Sequence, residues 1–275
     1  MKRNLLLQFK TTLAVMCCMY SVNSSAVDIE WYDGSTSVTY NVQKSVDPVV
    51  LTALDMFGSD MQAVTGRRAR PVSVDGASIR IIEADRASGS VLRRLKKEGV
   101  PVDSLMTLTD GFHISVIGRQ ITVVGANGRG TAYGVLELSR MAGVSPWIWW
   151  GDVLPERRNR LIIDSGYRTL QGASVEYRGI FINDEDWTLR PWSYGTYEPA
   201  EFGQIGPRTY KKVFQLLLRL RANAIWPGMH TGTKAFFRTE GAKAVADSCG
   251  IAIGTSHCAT MWMSGMRSSA DVTTI

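Results

Sequence analysis

Apolar positions divide the chain into two regions with different rhythms. From Val27 to Ile163, short runs of alternating β-branched residues give way repeatedly to stretches with apolar residues three and four apart. The strands this predicts are Ser37 to Val42, Ser78 to Ala84, Phe112 to Ile117 and Gln120 to Gly125. The last two flank the tight turn Gly118-Arg119 and form a hairpin. Helices are predicted at Pro48 to Thr65, Ser88 to Glu98 and Thr131 to Ala142, which together describe a small mixed α+β domain. Asp164 to Ser174 lacks apolar periodicity and reads as a linker.

The second region repeats strand, loop and helix. A first strand, Tyr177 to Asp184, ends abruptly in acids, at the run Asn183-Asp184-Glu185-Asp186-Trp187. Pro207 to Arg221 is a helix with proline in its first turn and an apolar stripe through Val213, Leu216, Leu217 and Leu220. A second strand, Ala224 to Met229, precedes a helix from about Phe237 to Cys249 with a Gly250 stop, and a third strand covers Ile251 to Ser256. This βαβαβ order implies parallel strands with outer helices, as in a doubly wound sheet or the opening of a (β/α)8 barrel.

Composition narrows the classes. With 275 residues, 45% of them hydrophobic and 20% charged, the chain can bury a substantial core. Lys2, Arg3 and Lys10 precede the apolar run Thr11 to Val22, which is too short to cross a bilayer, and small residues lead up to Ala26. Residues 1–26 therefore read as a signal peptide, leaving 27–163 as the first domain, 164–174 as linker and 175–275 as the second unit. The expected location is secreted or periplasmic, with no integral membrane segment in the mature chain. A lipid anchor on Cys17 or Cys18 fits less well, because Val15 and Met16 are bulkier than the residues that normally precede a lipidated cysteine. Cleavage lowers the formal charge from +6 to +3, and the remaining basic residues are interspersed with acids, so no nucleic-acid partner is implied. Of the cysteines left, Cys249 and Cys258 are expected as buried free thiols, although an oxidising compartment would permit a bridge.

Reactive residues gather where the second region's strands end. Asp184, Glu185 and Asp186 follow the first strand, Trp226 and His230 close the second, and His257 closes the third. In parallel α/β folds, loops converge at those carboxyl ends and build active sites there. Trp187, Trp192, Tyr194, Tyr197 and Trp226 offer flat faces for sugar rings, whose hydroxyls would meet acids. A solvated acidic turn is the plain alternative, and neighbouring acids on one loop supply only one side of the carboxylate pair that glycosidic cleavage needs. No metal is expected, since His230, His257, Cys249, Cys258 and the acids lack the close spacing of metal motifs. The glycine-rich stretch Gly125-Ala126-Asn127-Gly128-Arg129-Gly130-Thr131-Ala132-Tyr133-Gly134 misses dinucleotide spacing and follows a hairpin strand, so a tight helix entry explains it better. No cofactor is called for.

The run from Tyr177 to Trp187, together with Gly206-Pro207-Arg208-Thr209-Tyr210, Arg221 to His230 and Gly254-Thr255-Ser256-His257-Cys258, closely resembles glycoside hydrolase family 115, the xylan α-1,2-glucuronidases. Gly128 to Val135 resembles the non-catalytic domain that precedes the barrel in this and related hydrolases. The resemblance implies release of glucuronic acid, or its 4-O-methyl form, from glucuronoxylan or derived oligosaccharides by metal-independent, inverting hydrolysis at the mouth of a (β/α)8 barrel. Asp184, Glu185 and Asp186 then hold a catalytic or positioning carboxylate. Trp226, His230, Lys234 and His257 shape the sugar pocket, Lys234 as a cation for the uronate. Only about 100 residues follow the linker, enough for three strands where a barrel needs eight, so the expectation is an incomplete barrel, inactive alone. The alternative is an accessory module that binds uronate-bearing glycans without cleaving them.

Overall fold

The computed structural model describes residues 28–73, 76–182, 188–201, 203–228 and 233–254. It opens with β1 (Asp28–Tyr32) and β2 (Thr39–Val42), then α1 (Pro48–Thr65). Asp47 caps α1 by accepting from the Val49 amide at 3.1 Å, Pro48 occupies its first turn, and Gly66 ends it at φ +83°. There follow β3 (Arg70–Pro71), β4 (Ile79–Glu83), α2 (Gly89–Lys97), α3 (Val102–Met106), β5 (Thr109–Ile117), β6 (Gln120–Gly125) and α4 (Gly128–Met141). The remaining elements are β7 (Leu161–Asp164), β8 (Arg168–Ala173), β9 (Gly179–Phe181), α5 (Leu189–Trp192), α6 (Pro207–Arg219), β10 (Ala224–Trp226), α7 (Ala242–Cys249) and β11 (Ala252–Ile253).

A six-stranded mixed sheet runs in the order β3-β2-β4-β6-β5-β8. Strands β2, β3, β4 and β6 are parallel, while β5 runs antiparallel to both β6 and β8. The hairpin turns where expected, with Ile117 opposite Gln120. The expected linker is corrected: Arg168–Ala173 forms β8, the edge strand paired with β5. Its alternating half-exposed pattern carries little apolar signal, because an edge strand buries only part of one face. Strands β1 and β7 form a separate antiparallel ribbon. In the second region, β9, β10 and β11 are parallel neighbours, joined by α6 and α7. The Ala224 to Met229 and Ile251 to Ser256 expectations shorten to three and two described residues, Met229 and residues 255–256 lying outside the described residues.

The α6 stripe also needs correction. Tyr210, Val213, Phe214, Leu217 and Leu218 are its buried apolar residues, whereas Leu216 is half-buried and Leu220 is exposed. One apolar core, containing Phe57 and Met61 of α1, Leu138 of α4, Phe214 and Leu217 of α6, Ile225 of β10 and Cys249 of α7, unites the two regions. Cys249 is free and buried, and burial pushes its thiol up to about 11. Cys258 lies outside the described residues. Among the described residues, no helix is long and apolar enough to cross a membrane.

A buried polar junction accompanies that core. At the β-bulge of β5, Asp110 adopts φ +46°, and its carboxylate is buried. It accepts hydrogen bonds from Arg178 (2.6 Å), Arg129 (3.0 Å), Asn127 (3.1 Å) and Asn223 (3.1 Å). Arg178 precedes β9 and Asn223 precedes β10, so one carboxylate fastens the amino ends of two parallel strands to the mixed sheet. Asn223 also accepts from the Arg178 amide and donates to the Glu176 carbonyl. Burial acts to raise the Asp110 pKa, but the Arg178 hydrogen bond and the Arg129 charge outweigh it and hold the carboxyl below its ordinary value. The glycine-rich stretch serves the same junction. Asn127 caps α4 through the Gly130 amide, and a methyl group on Gly130 would lie 2.1 Å from the Gly111 carbonyl oxygen. These glycines admit the start of α4 against the β5 bulge, as the tight-entry reading expected.

Two outcomes follow for stability. Asp110→Ala leaves Arg178 and Arg129 without their buried counter-ion, and urea unfolding should show a loss of about 3–5 kcal/mol; a loss under about 1 kcal/mol contradicts the role given to this residue. Burial lowers the pKa of His113 on β5, so the folded state binds fewer protons than the unfolded one just below pH 6.5. Stability should therefore fall as pH drops from that value toward the folded pKa, by up to about 1.4 kcal/mol per pH unit. His113→Leu should remove that component, read as the difference in urea midpoint between pH 7.5 and 5.5.

Candidate functional site

The carboxyl ends of β9, β10 and β11 lie side by side, fixed by their register: Ile182 donates to the Trp226 carbonyl at 2.9 Å and Gly254 to the Ile225 carbonyl at 2.8 Å. Trp226 stands at the end of the middle strand, half-buried. A methyl group on Gly254 would sit 2.3 Å from the Trp226 indole nitrogen, so only glycine lets the ring lie across the end of β11. The tryptophan is thereby brought against the segment that continues directly into His257. Asp184, Glu185, Asp186, His230 and His257 all lie outside the described residues, as does Trp187.

The loop between β9 and α6 has a rigid second half. Glu198 is buried, and its carboxylate accepts from the Arg208 amide at 3.0 Å and from the Thr209 amide and hydroxyl, both at 2.9 Å. It satisfies the first turn of α6, whose own N-cap residue, Gly206, has no side chain for the task. Gly206 must remain bare, because an added methyl would lie 2.3 Å from the Glu198 carboxyl carbon. Ser193 completes the arrangement with a 2.7 Å hydroxyl contact to Thr209. From the same loop, Gln204 accepts from the Lys234 amide at 2.5 Å, tying the loop after β9 to the loop after β10. Lys234 is thus held beside the acidic strand's loop through its backbone, with its side chain half-buried.

Trp192 and Tyr197 have a different neighbourhood from the one expected. Trp192 and Tyr197 stack at 5.6 Å and join Trp149 and Trp150 in a four-ring cluster. Arg208 and Lys212 of α6 lie over Tyr197 and Trp149, each 4.9 Å from the ring centre, and the Trp150 indole donates to the Lys212 carbonyl. These rings fasten the loop to α6; of the described aromatics named from the sequence, Trp226 is the one at a strand end. Among the described residues, no group of three or more His, Cys, Asp or Glu is placed to hold a metal. Sequence reasoning missed Glu198, Ser193, Thr209 and Gln204. A capping acid nine positions before its helix leaves no local spacing signal, unlike a capping box.

Residues 171–272 match glycosyl hydrolase family 115. A solved family GH115 4-O-methyl-α-glucuronidase, BtGH115A, with specificity for decorated arabinogalactans, is 41% identical and superposes with a TM-score of 0.76 over 84% of this chain and 30% of its own. The chain belongs to glycosyl hydrolase family 115. This family 115 chain thus spans about a third of the length of that relative. The β-hexosaminidase of Streptomyces plicatus is 12% identical, with a TM-score of 0.52 over 84% of this chain and 42% of its own. The chitobiase of Flavobacterium johnsoniae is 10% identical, with a TM-score of 0.51 over 83% and 32%. These two share the fold alone. None of the curated proteins compared matches the sequence.

The close approach at Gly254 generates the prediction for this site. Gly254→Ala should displace the Trp226 ring and cost about 1–3 kcal/mol in stability. The indole N–H resonance of Trp226, assigned through a Trp226→Phe variant, should move. An unmoved resonance with unchanged stability contradicts the packing.

Proposed function

We propose that the protein is a glycoside hydrolase releasing glucuronic acid or 4-O-methylglucuronic acid side chains from xylan, cleaving α-1,2 linkages with inversion. The single observation carrying this reading is the 41% identity with a 4-O-methyl-α-glucuronidase across 84% of the chain. On this reading β9, β10 and β11 are the first three strands of a (β/α)8 barrel, with the mixed sheet as a non-catalytic support. One of Asp184, Glu185 and Asp186 supplies a catalytic or positioning carboxylate at the rim, and Trp226, His230, Lys234 and His257 form the sugar pocket. Inversion calls for a second carboxylate about 6.5–9.5 Å across the scissile bond. The relative's preference for decorated arabinogalactans makes the backbone polymer the open variable of specificity. Export, inferred from residues 1–26, would bring the enzyme to polymers too large to enter a cell.

Grafting residues 1–275 onto the remaining portion of the 41% identical relative tests the assignment. Released uronic acid is measured from glucuronoxylan and from a glucuronate-decorated arabinogalactan. The chimera should release uronic acid, and one of Asp184→Asn, Glu185→Gln and Asp186→Asn should lower turnover by about a hundredfold or more. Full turnover in all three variants would remove the acidic run from the mechanism. Saturable binding of an aldouronic acid by a chimera without turnover would favour the accessory binding module.

A further inference from the structure

The support domain carries a cavity whose chemistry the rim does not use. It measures about 310 Å³ and lies along the carboxyl halves of β2 and β4, beneath α2. In open parallel sheets such crevices are where ligands enter. Four cations line it, Lys44, Arg80, Arg86 and Arg94, and among the described residues no acid does. Its apolar wall is Ile82, Val91 and Leu95, faced by the polar side chains of Asn41 and Ser45. Cations, an apolar wall and neutral polar groups in one small cavity suit a sugar ring bearing a carboxylate.

The charge balance gives the ligand its sign. Arg86 is neutralised by Glu83 at 2.9 Å and Asp47 at 3.4 Å. Arg80 and Arg94 share a single carboxylate, Glu98, at 2.6 Å and 3.1 Å. Arg80 is 5% exposed, and its Nε has no hydrogen-bond partner although the residue lines the cavity. A guanidinium this deeply buried ordinarily has its donors filled. Lys44 is exposed, without an ion pair among the described residues. In all, four cations, Lys44, Arg80, Arg86 and Arg94, are matched by three carboxylates, Asp47, Glu83 and Glu98, which leaves room for one further negative charge.

We propose that this cavity is a second, non-catalytic binding site for a uronate-bearing sugar, with Arg80 and Arg94 meeting its carboxylate and the Ile82, Val91 and Leu95 wall meeting its ring. A site in the support domain would hold a decorated polymer near the rim while side chains are removed. The choice of a uronate rests on the glucuronidase reading; the negative charge of the ligand rests on the cavity alone.

The test is an NMR titration of the 275-residue chain with glucuronic acid, glucose and inorganic phosphate, following the methyl groups of Ile82, Val91 and Leu95. Glucuronic acid should shift them saturably, in the wild type and in Trp226→Ala alike. Arg94→Gln should weaken binding roughly tenfold, and Val91→Trp, placed at a partly exposed wall position, should abolish it by filling the cavity. Absence of a saturable shift, or binding that survives Val91→Trp, overturns the proposal. Equal response to phosphate overturns the sugar assignment, and equal response to glucose overturns the charge argument. Loss of these shifts in Trp226→Ala would place the uronate at the rim instead. Failure of the glucuronidase reading would appear separately, in the turnover of the chimera.

Discussion

The arrangement of the second region depends on a buried carboxylate. Asp110 sits at a bulge with a left-handed backbone and collects four donors, two of them guanidiniums, from α4, from the approach to β9 and from the approach to β10. Removing a carboxylate from water is costly, and the cost is offset only if its partners converge with good geometry. That requirement makes the junction directional in a way apolar packing is not. The shared core brings α1, α4, α6 and α7 together, and the Asp110 junction fixes where the amino ends of β9 and β10 stand relative to the mixed sheet.

From that fixed end, rigidity passes along short strands to their opposite termini. Strand β10 has only three residues, so its amino end and the Trp226 end belong to one stiff unit. At the carboxyl side the loops are held by a different device, a helix start completed from a distance by Glu198 and a ring cluster pinned to α6 by Arg208 and Lys212. Such support suits the rim proposed above, since catalytic groups need positioning within a fraction of an ångström. Glycines carry much of the tolerance: Gly130 at the junction, Gly206 beside Glu198 and Gly254 beneath Trp226 each occupy places a methyl group cannot.

Much of this was legible in the chain. Apolar spacing of three and four residues predicts Pro48 to Thr65, which are the observed ends of α1, and the structure shows Asp47, Pro48 and Gly66 setting those ends locally. The hairpin of β5 and β6 was legible from its tight turn, and the βαβαβ order of the second region from its alternating runs. Edge strand β8 escaped because a half-exposed edge has no strong apolar alternation, and the α6 stripe drifted because burial there is decided by which neighbours cover each face. The aromatic residues could be counted, but whether a ring faces a sugar or another ring is not written in its spacing. Trp192 and Tyr197 were spent on Trp149 and Trp150, more than 40 positions away.

By itself, then, the sequence determined the longer helices, the β5–β6 hairpin, the strand and helix order of the second region and the family resemblance, since these rest on periodicity and contiguous motifs. Tertiary structure alone decided that Asp110 joins the two regions, that Glu198 completes a distant helix and that Trp226 lies on Gly254. Each of those contacts pairs residues separated along the chain, and its strength comes from burial and converging geometry, which exist only once the core has closed.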